Sequence, residues 1–365
     1  MPTLAELGWS PFFSAQDLPS EKPDFFPARV VAHHGALYVL ADDRGTWPSQ
    51  PAGKLRHRAE SEAELPVIGD WVLAKAAPGG QAVIQEILPR RSLLSRRRPH
   101  DRNSPGVPSP AQVLAANLDL VFLVSSLNQD FSPARIERGL VMVWDSGAVP
   151  VVLLSKSDLP EDGEAAAETV RAGCPGVDVH CCSSVTGHGL DAIRAHFRPG
   201  LTACLLGSSG VGKSTLLNLL CGTEQKTLEV RADDGRGRHA TTARELFFLP
   251  GGGMLIDTPG LREFGLTGDA GGLSAVFGDI ESLARACRFA DCRHREEPGC
   301  AVKQAVADGD LSAERLAHFH KLHKELEYQA GKYDPARQQE QKRRDKHLGR
   351  LVKDVNRRRR ERYQE

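Results

Sequence analysis

Between residues 28 and 94, apolar positions fall into short runs broken by turn residues, as at 28–32, 37–40, 71–74 and 83–87. Runs this short predict the strands of a small all-β barrel, about five in number, with the OB-fold as the candidate. Residues 1–26 carry no such pattern and read as a leader with Pro and Phe. Beyond a Pro- and Arg-rich connector at 96–110 the pattern changes. The apolar run 119–124 predicts a buried strand, residues 133–144 a helix with Pro133 near its first turn, and 149–154 a further strand. Helix 161–173, strand 177–182, helix 188–197 and strand 201–206 continue the alternation. Strands and helices in this order predict a mostly parallel sheet covered on both faces. Residues 270–335 read as helical, broken by a Cys/His cluster, and the tail from 338 is charged. The expected organisation is multidomain: a leader (1–27), a barrel (28–98), an α/β domain (111–268), a helical module (269–335) and a basic tail (336–365).

Composition refines this only locally. A chain of 365 residues with 40% hydrophobic content can build two or three cores. Lys and Arg balance Asp and Glu at 47 each, so global charge makes no argument for nucleic acid. The tail does: eleven Lys and Arg lie between 342 and 362, against four acids between 341 and 365. A second cluster holds Arg90, Arg91, Arg96, Arg97, Arg98 and Arg102. Each reads as an electrostatic footprint for a polyanion or as a solvated face. No charge-flanked apolar leader and no bilayer-length apolar run occurs, so the expectation is a cytoplasmic chain with no membrane partner. Five of the eight cysteines (Cys174, Cys181, Cys182, Cys204 and Cys221) read as reduced thiols in apolar or loop settings.

The chemistry concentrates at Gly207-Ser208-Ser209-Gly210-Val211-Gly212-Lys213-Ser214, which matches the phosphate-loop pattern G-x(4)-G-K-[ST]. It follows strand 201–206 and precedes a helix starting at Thr215, so its backbone N–H groups and the helix N-terminus can cradle phosphates. Lys213 is expected on the β- and γ-phosphates and the Ser214 hydroxyl on Mg²⁺. Strand 254–256 ends in Asp257-Thr258-Pro259-Gly260, where Asp257 can hold the magnesium shell and the Gly260 N–H can meet the γ-phosphate. In Gly237-Arg238-His239-Ala240-Thr241-Thr242 a threonine can complete that shell, Thr241 in preference to Thr242. Guanine is indicated by Ser155-Lys156-Ser157-Asp158, similar to an NKxD motif: the Asp158 carboxylate can accept from N1–H and the 2-amino group, which adenine lacks. Lys156 can lay its stem along the base. Ser155 stands where Asn is usual and cannot make all of that amide's bonds. Ser183 and Ser184 read as the loop supporting the guanine oxygen. Residue 261 is leucine, which cannot orient water, so slow intrinsic turnover is expected. His239 is the candidate for that role, a solvent-facing loop histidine being the alternative.

These base-reading segments precede the phosphate loop, the reverse of the usual order, so the sheet is a circularly permuted one. Downstream, Cys287, Cys292, His294 and Cys300 offer three thiolates and an imidazole, a set suited to one structural zinc ion. A barrel, a permuted GTPase and a Cys₃His module together resemble the ribosome-small-subunit-dependent GTPase family, RsgA or YjeQ, over roughly residues 28–335. The strings carrying the resemblance are 207–214, 237–242, 257–265, Asp291-Cys292-Arg293-His294 and Glu297-Pro298-Gly299-Cys300. Ser155 and Ala240 depart from the family pattern, and the Arg-rich tail lies outside it. The resemblance implies a monomeric factor in late maturation of the small ribosomal subunit, touching its rRNA, with subunit-stimulated hydrolysis of GTP to GDP. The barrel face, Arg288, Arg293, Arg295 and the tail are the expected RNA contacts. A non-enzymatic RNA binder holding GTP as a structural ligand and an ATP-dependent kinase are the competing readings.

Overall fold

In the computed structural model, which describes residues 1–16, 24–35, 37–97, 111–128, 131–159, 163–222, 244–258, 260–261, 264–267 and 271–333, the chain opens with a short helix, α1 (Pro11–Ser14). The alternating runs then form β1 (Phe25–His34), β2 (Leu37–Asp42), β3 (Gly45–Pro51), β4 (Trp71–Ala77) and β5 (Gln81–Ile87), with α2 (Gly53–Arg58) between β3 and β4. The strands pair in the order β1-β2-β3-β5-β4, and β4 returns to β1 to close the barrel. β3 and β5 run parallel, and this is the OB connectivity expected from the sequence. Ala28, Val30, Leu40, Val72, Ala74 and Ile84 fill the interior.

The first sixteen residues are not loose. Leu7 and Phe13 are buried against Trp71 and Leu88, and the Trp9 ring meets Trp71 edge-on with centroids 4.7 Å apart. Irregularly spaced aromatics give no periodic signal, which is why this segment reads as a leader in the sequence.

Next come a two-stranded antiparallel ribbon of β6 (Leu93–Arg97) and β7 (Ala111–Ala116), then β8 (Leu120–Ser126), α3 (Pro133–Asp145), β9 (Val149–Ser155) and α4 (Gly163–Gly173). They are followed by β10 (Asp178–Cys181), α5 (Leu190–Arg194), β11 (Thr202–Gly207), α6 (Lys213–Cys221), β12 (Arg244–Phe248) and β13 (Met254–Asp257). The strands order as β10-β9-β8-β11-β13-β12, parallel except for β12 against β13. Along β8, Val121 and Leu123 face one apolar core while Phe122 and Val124 face the other. Burial on both faces explains the unbroken apolar runs. The Ser132 hydroxyl caps α3 by accepting from the Arg135 N–H.

The C-terminal part comprises α7 (Gly271–Val276), α8 (Gly278–Ala284), α9 (Ala301–Asp308) and α10 (Ala313–Tyr333). α10 is fastened to α3 and α8 by charge: Arg315 pairs with Glu137 of α3 and Asp279 of α8 at 2.7 Å each, His318 pairs with Glu137, and Arg138 of α3 pairs with Glu325.

Barrel and parallel sheet are continuous, because β12 pairs with β1 through Ala32↔Glu245 and His33↔Arg244. Arg29 is buried at this junction and donates to the carbonyls of Leu7, Gly69 and Asn117. Burial lowers its guanidinium to about 10, with Asp119 and Asp70 opposing the shift. Gly69 has φ +86°, and a Cβ there would lie 2.2 Å from the Ala116 carbonyl oxygen, so glycine is required.

Candidate nucleotide site and metal centre

The phosphate loop spans the turn between β11 and α6, where Gly210 and Gly212 take φ of +81° and +96°. Gly207 has its own constraint: a Cβ would lie 2.4 Å from the Val124 carbonyl oxygen on β8. Ser209, Gly210, Ser214 and Thr215 are exposed around the mouth of the loop. The Lys213 ammonium is buried and donates to the carbonyls of Gly207 (2.9 Å) and Ser208 (2.7 Å), so the loop folds over its own cation. Burial lowers that lysine to about 8, with Asp257 opposing. Burial also pushes the Asp257 carboxyl up, with Lys213 opposing. Asp257 ends β13 in register with Leu205 of β11, next to the loop. A buried ammonium and carboxylate beside an exposed Ser214 hydroxyl are a donor set that fits a phosphate–Mg²⁺ group.

The segment after β13 lies against the same loop. A Cβ on Gly260 would meet the Ser209 backbone at 3.1–3.2 Å, tighter than ordinary van der Waals contact, so the segment and the loop approach closely here. The Leu261 N–H donates to the Gly207 carbonyl, and its side chain is buried in the core, away from any attacking water. Thr258 is buried with its hydroxyl donating to the Leu205 carbonyl. His239, Thr241 and the remainder of 237–242 lie outside the described residues, as do Pro259, Arg98, Arg102 and the tail from 334.

The base-reading segments converge on one another. Ser183 donates its hydroxyl to the Asp158 carboxylate at 2.6 Å and accepts from the N–H groups of Val185 and Thr186. Ser157 N–H donates to the Cys182 carbonyl, joining the two loops. Lys156 adopts φ +61°, a left-handed conformation rare for lysine. Ser155 is buried, and its hydroxyl donates to the Val211 carbonyl at 2.7 Å, with the Ser125 carbonyl at 3.3 Å. The residue read as an imperfect Asn therefore ties the segment 155–158 to the phosphate loop. Nothing local in the sequence signals that bond, because 56 residues separate its partners.

In the C-terminal part the ligand atoms of Cys287, Cys292, His294 and Cys300 all lie within 4.8 Å of one another. Cys287 and Cys300 sulfurs are 3.9 Å apart, and each lies 3.6 and 3.4 Å, respectively, from His294 Nδ1. A tetrahedron with zinc–sulfur and zinc–nitrogen bonds of about 2.3 and 2.0 Å has edges of about 3.8 and 3.5 Å, so the residues fit zinc. His294 reaches its place through φ +59°. Arg288, Arg293 and Arg295 around the ligands are exposed. The described members of the other arginine cluster are engaged within the fold instead. Arg90 pairs with buried Asp70 at 2.8 Å, Arg91 with Asp119, and Arg97 donates to the Thr267 carbonyl.

The sequence model of the RsgA GTPase family matches residues 87–267. A small ribosomal subunit biogenesis GTPase RsgA from Syntrophotalea carbinolica is 41% identical over 96% of this chain and 97% of its own. The crystal structure of YjeQ from Thermotoga maritima superposes with a TM-score of 0.60 at 25% identity, covering 83% of this chain and 98% of that one. The crystal structure of YloQ, described as a circularly permuted GTPase, gives 0.57 at 27% identity, covering 85% and 98%. No described helix is long and apolar enough to cross a membrane.

Proposed function

This chain belongs to the RsgA GTPase family, and on that premise we propose that it hydrolyses GTP in the service of small-ribosomal-subunit maturation, as the names of its relatives state of them. The observation that carries the proposal is the Ser155–Val211 bond, which joins a guanine-reading loop to a phosphate loop within one site. Asp158, oriented by Ser183, selects guanine, with Lys156, Ser157 and Ser184 around the base. The backbone of residues 207–212, Lys213 and Thr215 hold the phosphates, and Gly260 senses the third of them. Ser214, Asp257 and Thr241 surround Mg²⁺, which when bound neutralises charge developing on the phosphates. On binding, the phosphates take the Lys213 ammonium over from the Gly207 and Ser208 carbonyls.

With Leu261 buried, hydrolysis without a partner runs at or below about 10⁻⁴ s⁻¹, the rate of an incomplete site. We assign the orientation of water in the stimulated state to His239. Cys287, Cys292, His294 and Cys300 would hold a zinc ion as four protein ligands, and with no protein position left for substrate its role would be structural. Domains 28–98, 111–268 and 269–335 serve as barrel, switch and zinc module, with the first sixteen residues packed on the barrel and a basic tail at 336–365; the rRNA of the subunit, met by a cytoplasmic monomer, is the partner of Arg288, Arg293 and Arg295.

Phosphate release with and without isolated small subunits tests this reading. The expected result is strong stimulation, lost on Asp158→Ala and reduced on His239→Ala. Equal turnover with and without subunits would overturn it, and unchanged stimulated turnover in His239→Ala would remove that residue from the mechanism.

A further inference from the structure

On the sheet edge farthest from the barrel, two histidines face each other. Asp178 and His180 alternate along β10 and so share one face of that strand. His196 reaches them from the turn after α5, where its N–H is held by the Ile193 carbonyl. The two Nε2 atoms are 2.9 Å apart, and one ligand atom from each of the three residues falls within 4.8 Å of the others. The His196 ring is braced edge-on by Phe122, centroids 5.8 Å apart. Arg171 of α4 is the cation facing this strand, donating to the Val179 carbonyl, and Glu164 (2.7 Å) and Glu168 (3.4 Å) engage it.

We propose that Asp178, His180 and His196 form a second metal site, for a borderline divalent transition ion of the zinc type. Two imidazoles and one carboxylate match such an ion and disfavour Mg²⁺ and Ca²⁺, which take oxygen ligands. Imidazoles bound at about 2.0–2.1 Å in a tetrahedron stand about 3.3 Å apart. The observed pair needs to open by only a few tenths of an ångström, and the proton shared in the N–H···N bond moves to the Nδ1 of its own ring, which frees both Nε2 lone pairs for the ion. The exposed Asp178 supplies the third ligand, and water completes the shell. The ion would close the loop from 180 to 196. That loop contains Ser183 and Ser184, so metal binding would stiffen the base-supporting segment.

Untagged full-length protein, with its Cys₃His centre loaded, is titrated with Zn²⁺ by calorimetry and with Co²⁺ by visible absorption. The expected result is a second equivalent, with a Co²⁺ spectrum free of thiolate charge transfer. His180→Gln and His196→Gln should lose it, and Asp178→Asn, at an exposed position, should weaken it, all three keeping the first equivalent. Retention of the first equivalent and an unchanged metal-free melting temperature certify that a variant is folded. Absence of a second equivalent in the wild type overturns the proposal. So does a second equivalent that persists in both histidine variants, or one that Asp178→Asn leaves at full strength.

Discussion

Lys213 is the cation of the phosphate loop, and in nucleotide-free protein its environment works against its charge. Burial places it at about 8, below the ordinary 10.5. Between those values the folded protein binds fewer protons than the unfolded chain, so this group makes the nucleotide-free fold gain stability as pH rises from 8 toward 10.5. A phosphate chain favours the charged form, so binding above pH 8 must take up a proton. GDP affinity should fall about tenfold per pH unit above about 8, with proton uptake visible by calorimetry in buffers of different ionisation heat. A flat affinity up to pH 9.5 would mean that the free lysine is already charged. Ser155 makes a second prediction at this scale. Ser155→Ala leaves the buried Val211 carbonyl without its donor, a cost of about 1 kcal/mol, and should weaken GDP and GTP binding about fivefold. Fluorescent-nucleotide titration measures this, and unchanged affinity would show that the tether does not preorganise the site.

Among elements, α3 is the mechanical centre, since it touches both the segment after Gly260 and helix α10. Arg138 donates through Nε to the Phe264 carbonyl and pairs with Glu325 of α10. Arg138→Ala should cost about 1.5–3 kcal/mol and raise amide exchange along α10. Glu325→Ala should give part of the same effect, and the double variant less than the sum of the two. Additive effects would show that the two residues act separately. The elements themselves were legible: β8, β9 and β11 are buried on both faces and so write continuous apolar runs, and the phosphate-loop pattern and the Cys₃His cluster are local strings. What was hidden depends on distance along the chain. Arg138 and Glu325 are 187 residues apart, and Arg29 binds the Asn117 carbonyl across 88. Neither pair leaves a local pattern. The arginine cluster misled in the opposite direction, because charge in a sequence does not show whether its partner is solvent, RNA or a buried carboxylate such as Asp70.

For the whole molecule, two places bear on stability: the Cys₃His cluster and the hydrogen-bonded junction at Arg29 and Gly69. Chelating the Cys287–Cys300 centre should melt its loop and loosen α9 while leaving nucleotide binding intact, since none of the four ligands belongs to the phosphate or base loops. Circular dichroism with parallel GDP titration tests the separation, and loss of GDP binding on chelation would refute it. At the junction, Gly69→Ala combines a left-handed backbone with a 2.2 Å clash, and should cost about 2–4 kcal/mol in denaturant titration. A change within 0.5 kcal/mol would mean that the junction yields easily. The pairing of β12 with β1 carries one more consequence. A fragment trimmed to the nucleotide domain would present β12 as a bare rim, its N–H and C=O groups open to strands of other copies. Such rims recruit neighbours. The barrel therefore also serves as an edge guard, and the trimmed fragment should self-associate more than the intact chain, as light scattering of both at equal concentration would measure.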